Sequence, residues 1–195
     1  MKKLPNPTRP PSPRRSLAQT TERQGHVPFA AATLLAVTTL TVLAPEPSHA
    51  ACTVSGSGSL GALNANDIAT CTGLGNTDTI TSNGSNNVEV RIGDGTPTSL
   101  VPAGNVSAIA YFATTNSRLI VNSQAQVSAY SGIVLAGNAN NNQITVAAGA
   151  TVSATGNTES AIIIDGSHDN TLDIRGSVTG ASSTHGVRLS GDSSS

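Results

Sequence analysis

A repeat of short apolar segments is the feature that most constrains the fold of this chain. Between Ser107 and Ser190, three kinds of segment recur in fixed order about three and a half times. The first column of segments starts at residues 108, 132, 161 and 186, the second at 119, 144 and 172, and the third at 127, 152 and 178. Successive members are 24 to 29 residues apart, and internal periods of this size indicate a solenoid or an array.

Each segment alternates between apolar and polar residues, as a half-buried strand does. The second column reads Ile-Thr-Val at 144–146 and Leu-Asp-Ile at 172–174. Gly, Asn, Ser, Thr and Asp, the residues that build turns, separate the segments, and helical periodicity is lacking. Three short strands and three turns fit one coil of about 25 residues, and the coils would stack ~4.8 Å apart. The sequence therefore predicts an all-β fold, a right-handed parallel β-helix.

Asparagine marks the turn before the second column. In three segments an asparagine stands two residues before the apolar pair: Asn86, Asn142 and Asn170. Asparagine tolerates the left-handed conformation and can stack its amide along a column. This alignment predicts an asparagine ladder, places Glu89 on the outer face at the position of Thr145, and extends the stack back to about Asn76.

The first 50 residues have the features of a secretory signal peptide. Six of the ten basic residues lie in the first 26 positions, and an uncharged, mostly apolar stretch follows at 29–44. These sixteen residues are short for a membrane span, which needs ~20, so a retained anchor is the less favoured alternative. Ser48 and Ala50 are small residues three and one positions before the expected cut, which predicts cleavage between Ala50 and Ala51.

Two special classes of leader fit less well. Arg14 and Arg15 are adjacent, as in a twin-arginine signal, but the apolar stretch begins well after them. Cys52 lies near the cleavage site, as a lipidated cysteine does, but His49 occupies the position where a lipidation motif has leucine. We therefore expect export by the Sec machinery.

The predicted mature chain is acidic. After residue 50, four arginines and no lysine stand against nine acidic residues, which gives a net charge of −5. Nucleic-acid binding depends on clustered Lys and Arg, so this composition argues against nucleic acid as a partner.

Residues 51–81 are the predicted N-terminal cap of the solenoid, and they contain both cysteines. Export to an oxidising compartment favours a disulfide between Cys52 and Cys71. Such a bond closes a loop of about 20 residues and would stabilise the first coil by roughly 3 kcal/mol. Two unpaired thiols are the alternative; a zinc site would need further ligands.

Residues 82–195 are the predicted coils, with one interruption and an incomplete end. The stretch 93–104 contains two prolines, which central strands exclude, so it is predicted to be a loop that projects from the solenoid as a candidate binding face. Residues 191–193 align with the turn at 166–168, so the last coil lacks two strands. We expect the chain to be the front part of a longer protein, because an uncovered edge favours aggregation.

The leader and the coils from about Asn76 to Ser195 resemble the N-terminal passenger of a bacterial autotransporter (type V secretion). Coils rich in Asn, Gly, Ser and Thr, such as ITVAAGATVSATG at 144–156, carry the resemblance. It implies a β-helical passenger carried to the cell surface by an outer-membrane β-barrel translocator, which is expected downstream in the same chain. The leader lacks the extension motif found in part of the family.

Two polar motifs are candidates for chemistry. The sequence Gly-Asp-Ser-Ser-Ser at 191–195 resembles the nucleophile motif of serine-protease autotransporters, but a serine replaces the glycine at Ser194 and the segment aligns with an ordinary turn. The densest polar cluster comprises Asp165, His168, Asp169 and Asp173. Such a cluster can bind a divalent cation, but residues of this kind more often satisfy backbone groups in turns. His185 has no evident partner. We expect neither a metal site nor another cofactor.

Two classes of function remain. The first is a non-catalytic, adhesin-like module that binds an unknown surface ligand. The second is a polysaccharide-active enzyme, because fold alone does not decide function. Such enzymes need clustered acids in a groove, whereas the arginines here are scattered and aromatic residues are few. The sequence favours the adhesin-like module over an enzyme; a truncated gene without a functional product is a third alternative.

Overall fold

The computed structural model describes residues 50–182 and 184–191. These residues form a parallel β-solenoid of about four turns and contain no helix. The strands are, in chain order, β1 (Ala51–Ser55), β2 (Ile68–Thr72), β3 (Ile80–Asn83), β4 (Glu89–Ile92), β5 (Thr98–Leu100), β6 (Ser107–Phe112), β7 (Arg118–Val121), β8 (Ala125–Ala129), β9 (Ser131–Ala136), β10 (Gln143–Val146), β11 (Thr151–Ala154), β12 (Ile162–Asp165), β13 (Thr171–Ile174), β14 (Ser177–Thr179) and β15 (Val187–Ser190).

Strand pairing confirms the predicted columns. The first-column sheet has the order β15-β12-β9-β6-β3, the second-column sheet β1-β2-β4-β7-β10-β13, and the third-column sheet β14-β11-β8-β5. Equivalent residues of successive coils are in-register partners, as in the sets Ile109, Ile133 and Ile162; Leu119, Ile144 and Leu172; and Val127, Val152 and Val178. Coils are about 26 residues apart, close to the expected spacing.

The interior is a continuous stack of aliphatic side chains with one tyrosine. Side chains at alternate positions of each strand point inward and are fully buried, for example Ile144 and Val146 in β10. Tyr111 lies in the same interior, and its hydroxyl donates to the carbonyl of Arg118 (3.3 Å). Burial, together with the nearby Glu89 carboxylate, raises the pKa of Tyr111 far above its ordinary value. This hydroxyl is therefore a structural donor in a dry core.

The predicted alignment of the early coil was wrong by two residues. In the structure Val90, not Val88, pairs with Leu119, which in turn pairs with Ile144. Glu89 therefore pairs with Arg118 instead of standing level with Thr145, although it still faces outward. A shift of two residues leaves the inward and outward faces unchanged, so the alternating pattern alone could not detect the error.

The predicted asparagine ladder exists, with a different membership. Asn142 and Asn170 are buried, and the Asn142 N–H donates to Asn170 Oδ1 (2.9 Å). Ser117, not Asn86, continues the ladder, because its N–H donates to Asn142 Oδ1 (2.9 Å). The left-handed positions are one residue earlier, at Asn66, Asn87, Asn116, Asn141 and Asp169.

The ladder bonds backbone groups that the corner would otherwise leave unpaired. Asn142 Nδ2 donates to the carbonyl of Thr114, and Asn170 Nδ2 to that of Ala139, both at 2.8 Å. Unpaired buried amides and carbonyls are costly, so the corner needs side chains that both donate and accept. One amide per coil meets this need and keeps the corner narrow.

The prediction of a projecting loop at 93–104 was wrong. Thr98, Ser99 and Leu100 form β5, which pairs in parallel with β8, and all three residues are buried. Pro97 and Pro102 flank this strand instead of interrupting it, so no ladder hydrogen bond is lost to either ring. The rule about proline was sound, but it was applied to a segment long enough to contain a three-residue strand.

The N-terminal end of the solenoid is covered on all three sheets. The second-column sheet is covered by β1, which runs antiparallel to β2. Backbone bonds between Leu63 and Thr81 cover the first-column sheet, and bonds of Asn76 with Ser99 and Val101 cover the third. The stack thus begins before Asn76, since β2 at 68–72 already pairs with β4, and the expected boundary at residue 81 falls inside β3.

We predict that Asn142→Ala destabilises the fold by about 2–4 kcal/mol, because it leaves the Ser117 N–H and the Thr114 carbonyl without partners in the core. Urea unfolding followed by far-UV circular dichroism measures the change. Gln143→Ala, on the exposed face of the same strand, is the matched control and should change the stability by less than about 0.5 kcal/mol. Equal losses in the two variants would contradict a role for the ladder.

Candidate functional site

The predicted polar cluster does not form one site. Asp165 Oδ1 accepts a hydrogen bond from Ser190 Oγ (2.8 Å), and Asp173 accepts two from the Arg175 guanidinium (3.0 and 2.8 Å). His168 Nδ1 lies 3.8 Å from Asp169 Oδ2 on the surface. Within residues 50–182 and 184–191, no three His, Cys, Asp or Glu side chains lie close enough together to hold a metal ion. These residues make local contacts in turns and one strand.

The other sequence motifs are also local. Gly191 stands beside Gly166, as the alignment of the two turns predicts, whereas residues 192–195 of the Gly-Asp-Ser-Ser-Ser motif lie outside the described residues. His185 is exposed in the corner before β15. In the turn before β5, hydrogen bonds from the Thr96 hydroxyl (2.5 Å) and N–H (3.1 Å) lower the pKa of Asp94. That arrangement closes a turn on itself.

A groove arises where one tight corner lies between two long ones. The corner from the third-column sheet to the first spans residues 101–106 after β5 and residues 155–161 after β11. Between these two coils, the corner from β8 to β9 consists of Tyr130 alone. The long corners project beyond the short one, which leaves a notch on the side of the solenoid with Tyr130 as its floor.

The groove is lined by amide, hydroxyl and aromatic groups. It has a volume of about 320 Å³ and is lined by Asn105, Tyr130, Thr155, Gly156, Asn157 and Thr158. The two asparagines and two threonines are exposed, whereas Tyr130 is half-buried. Amides and hydroxyls both donate and accept hydrogen bonds, so the lining suits a ligand with many polar groups.

The ring of Tyr130 is held in place by its neighbours. The Tyr130 N–H donates to the carbonyl of Val106 (3.2 Å), and its carbonyl accepts from the Gly156 N–H (3.1 Å). A Cβ at Gly156 would lie 2.6 Å from two ring carbons, so the ring packs closely over this glycine. The backbone of one coil and the missing side chain of the next therefore fix the floor of the groove.

The lining carries no formal charge, and one carboxylate lies beside it. Glu159 is half-buried and accepts a hydrogen bond from Ser131 Oγ (3.3 Å), next to the floor residue Tyr130. Its N–H donates to the carbonyl of Gly156 (3.1 Å), which closes the turn that carries Asn157 and Thr158. A single carboxylate next to amides and hydroxyls supplies hydrogen bonds but not the pair of acids that glycoside hydrolysis uses.

Sequence reasoning missed this groove, although a signal was present. Neighbouring members of the first column are 24 residues apart around Tyr130 and 29 apart at the next coil, whereas the third column advances by 25 and 26. The difference places the extra residues in the corner between the third and first columns. Three column spacings compared side by side therefore locate the short corner, and Tyr130 occupies it.

Comparisons of the chain with protein families, curated proteins and solved structures find no match. In the residues that the structure describes, no helix has the length and apolar character needed to cross a membrane. The candidate site therefore rests on the geometry of the groove alone.

The predicted cysteine pair forms a disulfide. Cys52 and Cys71 are directly opposite each other in the antiparallel pair of β1 and β2, with a Cα–Cα distance of 4.0 Å, and are bonded. Nearby, the Asp67 carboxylate accepts hydrogen bonds from the N–H groups of Ser57, Gly58 and Asn64 (2.7–3.0 Å). The disulfide and this carboxylate both tie the first residues of the cap to the first coil. Ala51 is the first residue of β1, and cleavage before it stays a prediction.

We predict that the double variant Cys52→Ala, Cys71→Ala loses about 3 kcal/mol of stability, because the disulfide no longer restricts the unfolded chain. Denaturant titration with and without a reductant measures this loss. Reductant should lower the stability of the wild type to that of the variant and leave the variant unchanged. A wild type that is equally stable in both conditions would show that the bond contributes nothing to the cap.

Proposed function

We propose that this chain is exported and that its solenoid acts at the cell surface as a non-catalytic, adhesin-like binding module. The observation that carries the proposal is the uncharged groove over Tyr130, built on strands whose positions are fixed by stacking. Rigid elements that present polar groups from their corners are suited to holding a ligand in a defined geometry. The ligand on the surface of another cell or of a matrix is what the groove would recognise.

Two observations support export. The disulfide between Cys52 and Cys71 is consistent with folding outside the cytoplasm, where such bonds persist. The first strand begins at Ala51, immediately after the proposed cleavage site, so cleavage there would leave β1 complete. The leader at residues 1–50 would be recognised by the Sec machinery and removed between Ala50 and Ala51.

The proposed class is a passenger of the autotransporter type. A parallel solenoid is the fold that such a passenger is expected to have, and this agreement in architecture is the support for the assignment. Delivery to the surface would require an outer-membrane β-barrel translocator, encoded downstream in the same reading frame. Nucleic acid is not among the proposed partners, since the mature chain has four arginines and no lysine.

Binding without catalysis is favoured by the composition of the groove. None of its six lining residues carries a carboxylate or an imidazole, and Glu159 is the carboxylate next to it. A polysaccharide-active enzyme would need a second acid at a working distance, which is ~5–10 Å between the two carboxyl groups. The groove thus offers recognition groups and no acid–base pair.

We predict that the full chain, produced in a bacterium with an outer membrane, is recovered outside the cytoplasm with Ala51 as its first residue. Intact-mass spectrometry should give the mass of residues 51–195 less two hydrogens, because the cystine is formed. Ala50→Leu is the control, since a large residue at this position blocks cleavage and should leave the leader attached. Recovery of the uncleaved wild type in the cytoplasm with free thiols would refute export.

We also predict that the mature chain is retained on cell surfaces without altering them. Fluorescently labelled protein should bind saturably to bacterial and animal cells, and incubation with purified polysaccharides should release no new reducing ends. Release of reducing ends that grows with time and is abolished by Glu159→Gln would favour the enzyme instead. Glu159→Gln keeps the size of the side chain, so its folding is a matched control for the wild type.

A further inference from the structure

We propose that the groove over Tyr130 binds a neutral sugar residue of a surface glycan, packed with its C–H face on the tyrosine ring. This inference rests on the proposed function and names the ligand class that the binding module would recognise. The argument uses the chemistry of the lining, its charge, its size and the state of the local backbone.

The lining offers both halves of what a pyranose needs. A sugar ring has a face of C–H groups and a rim of hydroxyls. The half-buried ring of Tyr130 provides a flat surface with a negative face for the C–H groups. Asn105 from one wall and Asn157 and Thr158 from the other surround this floor with donors and acceptors for the rim.

The charge of the site selects neutral sugars over anionic ones. None of the six lining residues is basic, and the adjacent ionisable residue, Glu159, would repel a sulfate, a phosphate or a uronic acid. The mature chain as a whole carries a net charge of −5. Sulfated glycans and nucleic acids, which are bound through clustered Lys and Arg, do not fit this surface.

The state of the backbone disfavours a peptide ligand. An extended peptide commonly binds by adding a strand to a free sheet edge. Here the N–H and carbonyl of Tyr130 and the N–H of Gly156 are already bonded to neighbouring coils. The lining also lacks an aliphatic pocket for a side-chain anchor. The groove therefore favours a ligand that uses side-chain hydrogen bonds and ring packing.

The size of the groove fits a small unit. A volume of about 320 Å³ is at the lower end of the ~300–1,000 Å³ usual for small-ligand sites. We expect one or two sugar rings to be held, with a dissociation constant in the millimolar range for a single site. Many copies on one cell surface would raise the effective affinity through multivalency.

The test uses the mature protein exported from the full chain and saturation-transfer NMR with a set of probes. The probes are neutral trisaccharides of hexoses and of N-acetylhexosamines, a sulfated trisaccharide and an unrelated polar peptide. We expect at least one neutral trisaccharide to bind, with its C–H protons saturated from the aromatic region. Binding of only the sulfated probe or only the peptide would overturn the proposal, as would binding of no probe.

Four variants localise the interaction. Tyr130→Ala should weaken binding at least about tenfold, and Tyr130→Phe should stay within about threefold because the ring is retained. Gly156→Ala should also weaken it, since the new Cβ would displace the ring of Tyr130. Thr171→Ala, exposed on the second-column sheet away from the groove, is the control and should bind as the wild type does. Neutral-sugar binding that is equal in Tyr130→Ala and the wild type would overturn the assignment of the site.

Failure of this inference is distinguishable from failure of the proposed function. Far-UV circular dichroism and the melting temperature establish that each variant is folded, and Tyr130→Phe keeps the test valid if Tyr130→Ala is not. If labelled Tyr130→Ala still binds cells as the wild type does, the sugar site is wrong and the surface-binding function stands. If the protein is neither exported nor retained on cells, the proposed function itself is wrong.

Discussion

Hydrogen bonding from each coil to the next is the constraint on which the whole structure depends. Because the strands are parallel and in register, the place of every side chain follows from that of its partner one coil away. Strands satisfy their own backbone groups in this way, but buried corners do not. At the corner before the second-column sheet, Ser117, Asn142 and Asn170 supply the missing donors and acceptors. The stacked amides thus keep the corner narrow enough for an aliphatic interior to close.

Since stacking fixes the strands, the corners are where one coil can differ from the next. The corner between the third-column and first-column sheets is a single residue at Tyr130 and longer in the coils on either side. That difference in length, and not a special sequence motif, creates the groove. The ring of Tyr130 packs over Gly156 because a side chain there would occupy the same space. Variation in corners on a constant scaffold is the usual way in which solenoids acquire binding surfaces.

The N-terminal end shows how the same constraint is met where no earlier coil exists. Each sheet edge there is covered by a short segment of the cap, and β1 reverses direction to pair with β2. The disulfide of Cys52 with Cys71 and the three N–H groups bound by Asp67 hold this segment in place. Covered edges do not offer a template for pairing with other chains, which is consistent with a protein that folds after export.

The sequence by itself determined the fold class, the three columns and the cysteine pair. The apolar residues at Ile109, Ile133 and Ile162 recur with a period that only stacked strands satisfy. The tertiary structure decided the register of Val90, the strand at 98–100 and the groove at Tyr130. Alternation is unchanged by a shift of two residues, and a three-residue strand has too little pattern to be recognised alone. A groove formed by residues 105, 130 and 157 depends on distances between coils, which exist only once the coils are stacked.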